Sequence, residues 1–137
     1  MKIREIMTSD VKVANPDQAV RDVAHLMGDS DIGAILVGEN DRLVGIVTDR
    51  DITLRVVAEG RSDDTAVRDV MSRAIRYCFD DEDVQHVAEN MADQQVRRLP
   101  VLNREKRLVG VVSLANITSA RDQRASSTLL RGVAQPH

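Results

Sequence analysis

The pattern of apolar and polar residues predicts the same series of short elements twice along the chain. In the first half it predicts a helical turn over Ile3–Met7 and an extended piece around residues 11–13. Apolar residues spaced three and four apart predict an amphipathic helix from about Asp17 to Asp29. Two apolar runs, "GAILV" and "LVGIVT", flank the polar turn "ENDR" and predict a β-hairpin. A second helix is predicted from about Asp49 to Glu59, where Gly60 ends it.

The second half repeats this order, which makes the chain a tandem repeat. The segment "IREIMT" at residue 3 returns as "VRDVMS" at residue 67, an offset of 64. The segment "RLVGIVTDRDIT" at residue 42 returns as "RLVGVVSLANIT" at residue 107, with seven of twelve positions identical. We therefore predict a first repeat over residues 1–60, a linker over 61–66, a second repeat over 67–121 and a flexible tail over 122–137.

Composition narrows the class of protein. The chain has one Tyr, one Phe and no Trp, so its core must be built from aliphatic residues and Met. A net charge of −3 argues against membrane or nonspecific nucleic-acid binding as the main activity. The single cysteine, Cys78, excludes an internal disulfide and indicates a reducing compartment. Because the longest apolar run, Ile32–Gly38, is too short to span a bilayer, we expect a soluble cytoplasmic protein.

Each repeat ends in a strand followed by a helix start of related sequence, "TDRD" at 48–51 and "SLAN" at 113–116. Thr48 and Asp51 fit a capping box, which is a purely structural interpretation. The same corner also suits a nucleotide, because a helix start offers unpaired N–H groups to phosphate and a carboxylate can accept hydrogen bonds from two ribose hydroxyls. The residues alone leave both interpretations open.

The remaining reactive side chains form no catalytic constellation. His25 and His86 lie off the apolar faces of their predicted helices, so they are expected to face solvent. Cys78 is interpreted as a buried bystander, with a redox-sensing thiol as the alternative. The sequence contains no nucleophile–base pair, glycine-rich phosphate loop or metal-ligand cluster, so we expect neither an enzyme nor a metal site.

The stretch Ile3–Arg121, which is 119 of 137 residues, resembles a tandem pair of cystathionine-β-synthase (CBS) domains, a Bateman module. The resemblance is carried by "IMTSDVKVANPDQAVRDVAHLM", "DIGAILVGENDRLVGIVTDRDI", "VRDVMS" and "QQVRRLPVLNREKRLVGVVSLANI". It implies an α+β fold of two β-α-β-β-α units. Since one such unit has too few strands to bury a sheet alone, the units are expected to pack sheet to sheet with pseudo-twofold symmetry. The pattern is similar to stand-alone bacterial CBS-pair proteins, including hypoxic-response types.

The resemblance implies a non-catalytic regulatory module that needs no cofactor. It would bind an adenine nucleotide (AMP, ADP or ATP), with S-adenosylmethionine or NAD as alternatives, and signal to an unidentified protein partner. A homodimer formed through the helices is expected, with their Val/Ala/Met faces as a candidate interface. The alternative is a ligand-free structural protein that acts by dimerisation or by binding a partner.

The resemblance also implies two ligand clefts, each combining the corner of one unit with segments of the other. In the first, Asp51 would hold the ribose hydroxyls and Thr48, Arg50 and Arg97 would face phosphate. The second is expected to be weaker, because Asn116 replaces the aspartate and Ala115 stands where the first has Arg50. Ile46 and Val96 would flank adenine in the first cleft. The members of cleft 1 are Ile46, Thr48, Arg50, Asp51, Ser72, Arg76, Val96 and Arg97, and those of cleft 2 are Thr8, Lys12, Ile32, Gly33, Val111, Ser113 and Asn116.

Overall fold

The computed structural model describes residues 1–120, which divide into two compact units. Lys12–Ile75 forms one of them, the central unit, and Met1–Val11 with residues 76–120 forms the other, the terminal unit. Each unit has a three-stranded sheet and the order β-α-β-β-α, so the predicted α+β class is confirmed. None of the helices in residues 1–120 has the length and apolar character needed to cross a bilayer.

In the central unit, a parallel strand pair and an antiparallel hairpin share the middle strand. β1 pairs with β2 in parallel, and β2 pairs with β3 in antiparallel register, with Leu36 opposite Ile46. The hairpin turns at Asn40 and Asp41, whose φ angles of 55° and 63° are those of a tight two-residue turn. The elements are β1 Val13–Ala14, α1 Val20–Ser30, β2 Ala34–Glu39, β3 Arg42–Thr48 and α2 Asp49–Ile52, followed by a π-helical turn over Thr53–Val57.

Both helices of the central unit differ from their predicted bounds. α1 begins at Val20 rather than near Asp17, because the Asp17 N–H donates to the Asn15 side chain at 2.9 Å and closes a local turn instead. The second helix was predicted as one α-helix, yet after Ile52 it continues with π geometry. It ends at Val57, two residues before the predicted end at Glu59, and Gly60, which has a φ of +68°, closes the turn that follows.

The terminal unit repeats this arrangement. β4 pairs with β5 in parallel, and β5 pairs with β6 in antiparallel register, with Val101 opposite Gly110. The elements are β4 Cys78–Phe79, α3 Val84–Gln94, β5 Arg98–Leu102, β6 Leu108–Ser113 and α4 Leu114–Ser119. The predicted tail, residues 122–137, and the last residue of the predicted second repeat lie outside the described residues.

The leading segment of each repeat belongs to the unit that carries the other repeat's sheet. The 3₁₀ turn Ile3–Glu5 lies in the terminal unit, where the Ile3 N–H donates to the Glu82 carbonyl at 3.0 Å. The corresponding turn Val67–Asp69 lies in the central unit, where the Val67 N–H donates to the Gln18 carbonyl at 2.8 Å. The compact units therefore exchange leading segments relative to the sequence repeats.

The apolar faces of α1 and α3 are used within their own units. Val20 and Val23 are at most 2% exposed and pack in the central core, and Val84 and Met91 are fully buried in the terminal core. Burying such aliphatic side chains contributes about 1.5–3 kcal/mol each, which stabilises both units. These buried residues are not available for a dimer interface, whereas Ala24 on the same face of α1 is exposed. The homodimer itself stays a prediction.

A close backbone approach joins each leading segment to the last strand of a hairpin. Ile46 and Ser72 exchange two backbone hydrogen bonds of 2.9 and 2.8 Å, and Thr8 and Val111 exchange two of 2.9 Å. The residue before each strand partner is glycine. A Cβ on Gly45 would lie 2.3 Å from the Met71 Sδ, and one on Gly110 would lie 2.7 Å from the Thr8 carbonyl oxygen. Only glycine allows this approach.

Cys78 lies in the terminal core, 4% exposed, with its Sγ 3.8 Å from the Pro100 carbonyl oxygen. Burial raises the pKa of the Cys78 thiol to about 12, and the carboxylates of Glu82 and Asp80 act in the same direction. The thiol is therefore neutral and shielded at physiological pH. This favours the bystander interpretation over a redox sensor.

We expect Gly110→Ala to lower the free energy of unfolding by about 1–3 kcal/mol, because its Cβ would overlap a backbone oxygen that cannot rotate away. Gly28→Ala is the matched control, since a Cβ there meets nothing within 4 Å. In helix α1 it should stabilise by about 0.5–1 kcal/mol. Urea unfolding followed by far-ultraviolet circular dichroism measures both. Equal stability of Gly110→Ala and wild type would contradict the close approach.

We expect the Cys78 thiol to resist labelling by a disulfide reagent at pH 8 in the folded protein and to react fully in urea. Because its folded pKa of about 12 lies above the usual value of about 8.5, its contribution to stability is present below that usual value and is lost as the pH rises towards 12. Absorbance of the released reagent measures the reaction. Rapid labelling of the folded chain would show that the thiol is accessible.

Candidate functional site

The first candidate site, the Asp51 corner, consists of Thr48, Asp51, Ile46 and Ser72 in the central unit. β3 ends at Thr48, whose N–H donates to the Asp51 Oδ2 at 2.9 Å. The Asp51 N–H donates in return to the Thr48 Oγ1 at 3.1 Å, so the predicted capping box is present. This arrangement fixes the Asp51 carboxylate, which is 18% exposed, at the start of α2. Ser72 is joined to the same strand, β3, by its bridge to Ile46, two residues before Thr48.

The second oxygen of Asp51 has a cationic neighbour that sequence reasoning missed. The Asp51 Oδ1 lies 3.9 Å from the Arg55 Nε, a weak i,i+4 ion pair. The Arg55 Nη1 donates to the Val70 carbonyl at 2.9 Å and lies 3.4 Å from the Met71 carbonyl. The signal available in the sequence was the spacing of four between Asp51 and Arg55, together with the replacement of Arg55 by Ala120 in the second repeat.

The first amides of α2 already have partners within the central unit. The Asp49 N–H donates to the Gly33 carbonyl at 2.9 Å, and the Arg50 N–H donates to the Asp49 Oδ1 at 2.8 Å. The Asp51 N–H is used by the cap. The expectation that this helix start offers unpaired N–H groups to phosphate is therefore wrong. The side chain of Arg50 is exposed and remains the cationic group at this position.

The second candidate site, the Asn116 corner, consists of Ser113, Asn116, Thr8 and Val111 in the terminal unit. The Asn116 Oδ1 accepts from the Ser113 N–H at 2.8 Å, and the Asn116 N–H donates to the Ser113 Oγ at 3.2 Å. The Asn116 Nδ2 donates to the Thr8 Oγ1 at 3.3 Å. Both ends of the amide are thus engaged, whereas Asp51 keeps one carboxylate oxygen outside its cap.

A cavity of about 340 Å³ adjoins the Asn116 corner. It occurs where the second repeat has Ala120 in place of Arg55. No carboxylate lines the cavity, so it supplies no negative acceptor for a sugar. Its lining consists of Ile6, Ala115, Asn116, Ser119 and Ala120.

The structure brings together part of each predicted cleft. Ser72 joins Ile46, Thr48 and Asp51 in the central unit, and Thr8 joins the Asn116 corner in the terminal unit. The participation of the other predicted members, which lie in the opposite unit from their proposed corner, stays a prediction. These members are Arg76, Val96 and Arg97 in the terminal unit and Lys12, Ile32 and Gly33 in the central unit.

Several of these residues make contacts within their own unit. The Lys12 Nζ lies 3.4 Å from the Ser30 Oγ, and the Arg97 carbonyl accepts from the Leu114 N–H at 2.9 Å. Ile32 and Val96 are partly buried against the cores of their units.

The predicted solvent exposure of the two histidines, His25 and His86, is confirmed.

Curated relatives of similar length match most of the chain. It is 36% identical to the CBS domain-containing protein YhcV of Bacillus subtilis, over 84% of this chain and 81% of that protein. It is 33% identical to hypoxic response protein 1 of Mycobacterium tuberculosis, over 97% and 94% of the two chains. An inosine-5'-monophosphate dehydrogenase of Methanocaldococcus jannaschii is 32% identical over 88% of this chain but only 23% of the enzyme.

Solved structures share the fold. The crystal structure of hypoxic response protein I, with two coordinated zinc ions, has a TM-score of 0.74 at 33% identity and covers 86% of this chain and 97% of that one. CBSX2 in complex with AMP has a TM-score of 0.72 at 22% identity, over 85% and 93% of the chains. The CBS pair of MJ0100 with 5'-methylthioadenosine and S-adenosylmethionine has 0.70 at 24%, over 86% and 93%. At the identities of the latter two, the likeness concerns the fold alone.

Within residues 1–120, no three His, Cys, Asp or Glu side chains are close enough together to hold a metal ion. The family model of the CBS domain matches residues 3–58 and again residues 67–122. The chain therefore belongs to the CBS domain family and carries two CBS domains in tandem.

Proposed function

We propose that the chain is a non-catalytic regulatory module that holds an adenine nucleotide at the Asp51 corner and signals its presence to a partner protein. The proposal rests on the hydrogen bonding of the two Asp51 carboxylate oxygens. One carboxylate oxygen is fixed by the Thr48 N–H at 2.9 Å, and the other is outside the cap. A carboxylate held in this way is preorganised to accept hydrogen bonds from a ribose.

The difference between the two corners supports a preference for the first. A hydrogen bond to a charged group contributes about 1.5–3 kcal/mol, against about 1 kcal/mol for a neutral pair. Asp51 offers such a charged acceptor, whereas the Asn116 oxygen already accepts from the Ser113 N–H and hydroxyl, each at 2.8 Å. Ribose should therefore bind at Asp51 on the order of tenfold more tightly.

The phosphate would be held by side chains, because the first amides of α2 have partners. Arg50 is exposed beside Asp51, and the Thr48 hydroxyl lies at the same corner. Ile46, half-buried on β3, would provide an apolar surface for the base. AMP, ADP, ATP, S-adenosylmethionine and NAD all carry adenosine ribose, so Asp51 would select this ligand class rather than one member of it.

A ligand-free structural protein is the second candidate, and the complete capping box favours it. Under this candidate, Thr48 and Asp51 only cap α2, and all first-turn amides are satisfied without a ligand. The output would then be dimerisation or partner binding. Both candidates predict that Asp51 matters for stability, but only the regulatory module predicts that it matters for nucleotide binding.

The absence of catalysis is part of the proposal. The match to inosine-5'-monophosphate dehydrogenase covers 23% of that enzyme, which supports a role for this segment outside the reacting domain there.

A homodimer and a cytoplasmic location also stay proposals. Leu54 and Val57, which are 46% and 71% exposed after α2, are candidate apolar contacts for a dimer or a partner.

We expect the melting temperature of the wild-type chain to rise with an adenosyl ligand, because a ligand that binds only the folded state stabilises it by about 2.7 kcal/mol at a hundredfold excess over Kd. Differential scanning fluorimetry with AMP, ADP, ATP, S-adenosylmethionine, NAD and GMP as the base control measures the shift. If no adenosyl ligand binds below millimolar concentration in calorimetry, the regulatory proposal fails.

We expect Asp51→Asn to weaken nucleotide binding by about tenfold while leaving the unliganded melting temperature nearly unchanged. The amide can still accept from the Thr48 N–H, as the Asn116 amide accepts from the Ser113 N–H at 2.8 Å. Asp49→Asn is the matched control, because it removes the same charge two positions away. Calorimetric titration measures both variants. Binding by Asp51→Asn at wild-type strength would leave the carboxylate with a capping role only.

A further inference from the structure

Arg55 joins two segments of the central unit at the edge of the Asp51 corner. Its Nη1 donates to the Val70 carbonyl at 2.9 Å and lies 3.4 Å from the Met71 carbonyl. Its Nε lies 3.9 Å from the Asp51 Oδ1. The planar guanidinium has five donors in a fixed fork, so one side chain can serve carbonyls and a carboxylate at once.

The segment that Arg55 holds is the one that completes the corner. Met71 directly precedes Ser72, and Ser72 exchanges backbone hydrogen bonds of 2.9 and 2.8 Å with Ile46. Arg55 thus links the helix that carries Asp51 to the segment that carries Ser72. The Arg55 side chain is 52% exposed, so water competes for these hydrogen bonds.

The second repeat provides an internal comparison. At the position of Arg55 it has Ala120, and at those of Val70 and Asp51 it has Ile6 and Asn116. The methyl group of Ala120 cannot donate a hydrogen bond. The cavity of about 340 Å³ is lined by these three residues of the terminal unit. The Asp51 corner is therefore bridged by the Arg55 guanidinium, whereas the Asn116 corner has a cavity at the equivalent position.

We propose that Arg55 is a positioning residue that holds Ser72 and Asp51 of the central unit in a fixed relation before ligand binds, and that Ala120 leaves the Asn116 corner without this device. Arg55 acts through its neighbours and is assigned no contact with ligand. The effect on nucleotide affinity rests on the proposed function, whereas the effect on the backbone of Ile46 and Ser72 does not.

The test compares Arg55→Ala with Arg61→Ala, an exposed arginine of the same unit, as the matched control. Amide hydrogen exchange by nuclear magnetic resonance is read at Ile46 and Ser72, and nucleotide affinity is read by calorimetry. We expect Arg55→Ala to speed exchange at these two amides and to weaken binding by about five- to tenfold. Added methylguanidinium should reverse both changes, because it returns the missing donors. Arg61→Ala should change neither.

A reciprocal variant tests the internal comparison. Ala120→Arg places a guanidinium next to the cavity, so exchange at the Thr8 and Val111 amides should slow. If exchange at Ile46 and Ser72 is unchanged in Arg55→Ala, the proposal is overturned. The same holds if exchange rises evenly throughout the unit without rescue by methylguanidinium, which is the sign of a merely structural role. Should wild type bind no nucleotide, the proposed function fails, and the exchange data alone decide the role of Arg55.

Discussion

The paired backbone hydrogen bonds between a leading segment and the last strand of a hairpin are the constraint on which both candidate sites depend. Ile46 with Ser72, and Val111 with Thr8, bring a hydroxyl-bearing residue beside the strand end where a helix begins. The approach is possible because the preceding residue in each strand is a glycine. Without it, the capping residues would sit at an ordinary strand–helix turn with nothing opposite them.

The local parts of this structure could be predicted from sequence, and the non-local parts could not. Alternation and the 3.6-residue period predict which residues are buried, and Thr48 with Asp51 predicts the capping box because its partners are three residues apart. The period does not say against which sheet Ile3 or Val67 packs, so only the family resemblance indicated that Ser72 and Thr8 lie at the corner of the other repeat. The occupied amide of Asp49 was missed for the same reason, since its acceptor, Gly33, is distant in sequence.

The two corners have the same backbone bridge and capping box, and they differ in several neighbouring side chains at once. In the central unit a carboxylate is accompanied by Arg55, and in the terminal unit an amide is accompanied by an alanine and a cavity. The charge and its counter-ion thus change together, which keeps each corner electrostatically balanced. A ligand can regulate only if it binds one conformation better than another. Under the proposed function, the two unequal corners would therefore respond at different ligand concentrations.

The exchange of leading segments has a consequence for how such a chain can arise and be divided. Ile3 bonds to a carbonyl 79 positions away, at Glu82, and Val67 bonds back to Gln18. A chain holding one repeat alone would contain a sheet and a leading segment. That leading segment would not pack on its own sheet, because in the tandem chain it packs on the sheet of the other repeat. A single-repeat chain could complete a corner only by lending that segment to a second copy, as in a domain-swapped dimer. The tandem chain is the covalent form of that exchange, and cutting it between the repeats would turn an internal contact into a bimolecular one.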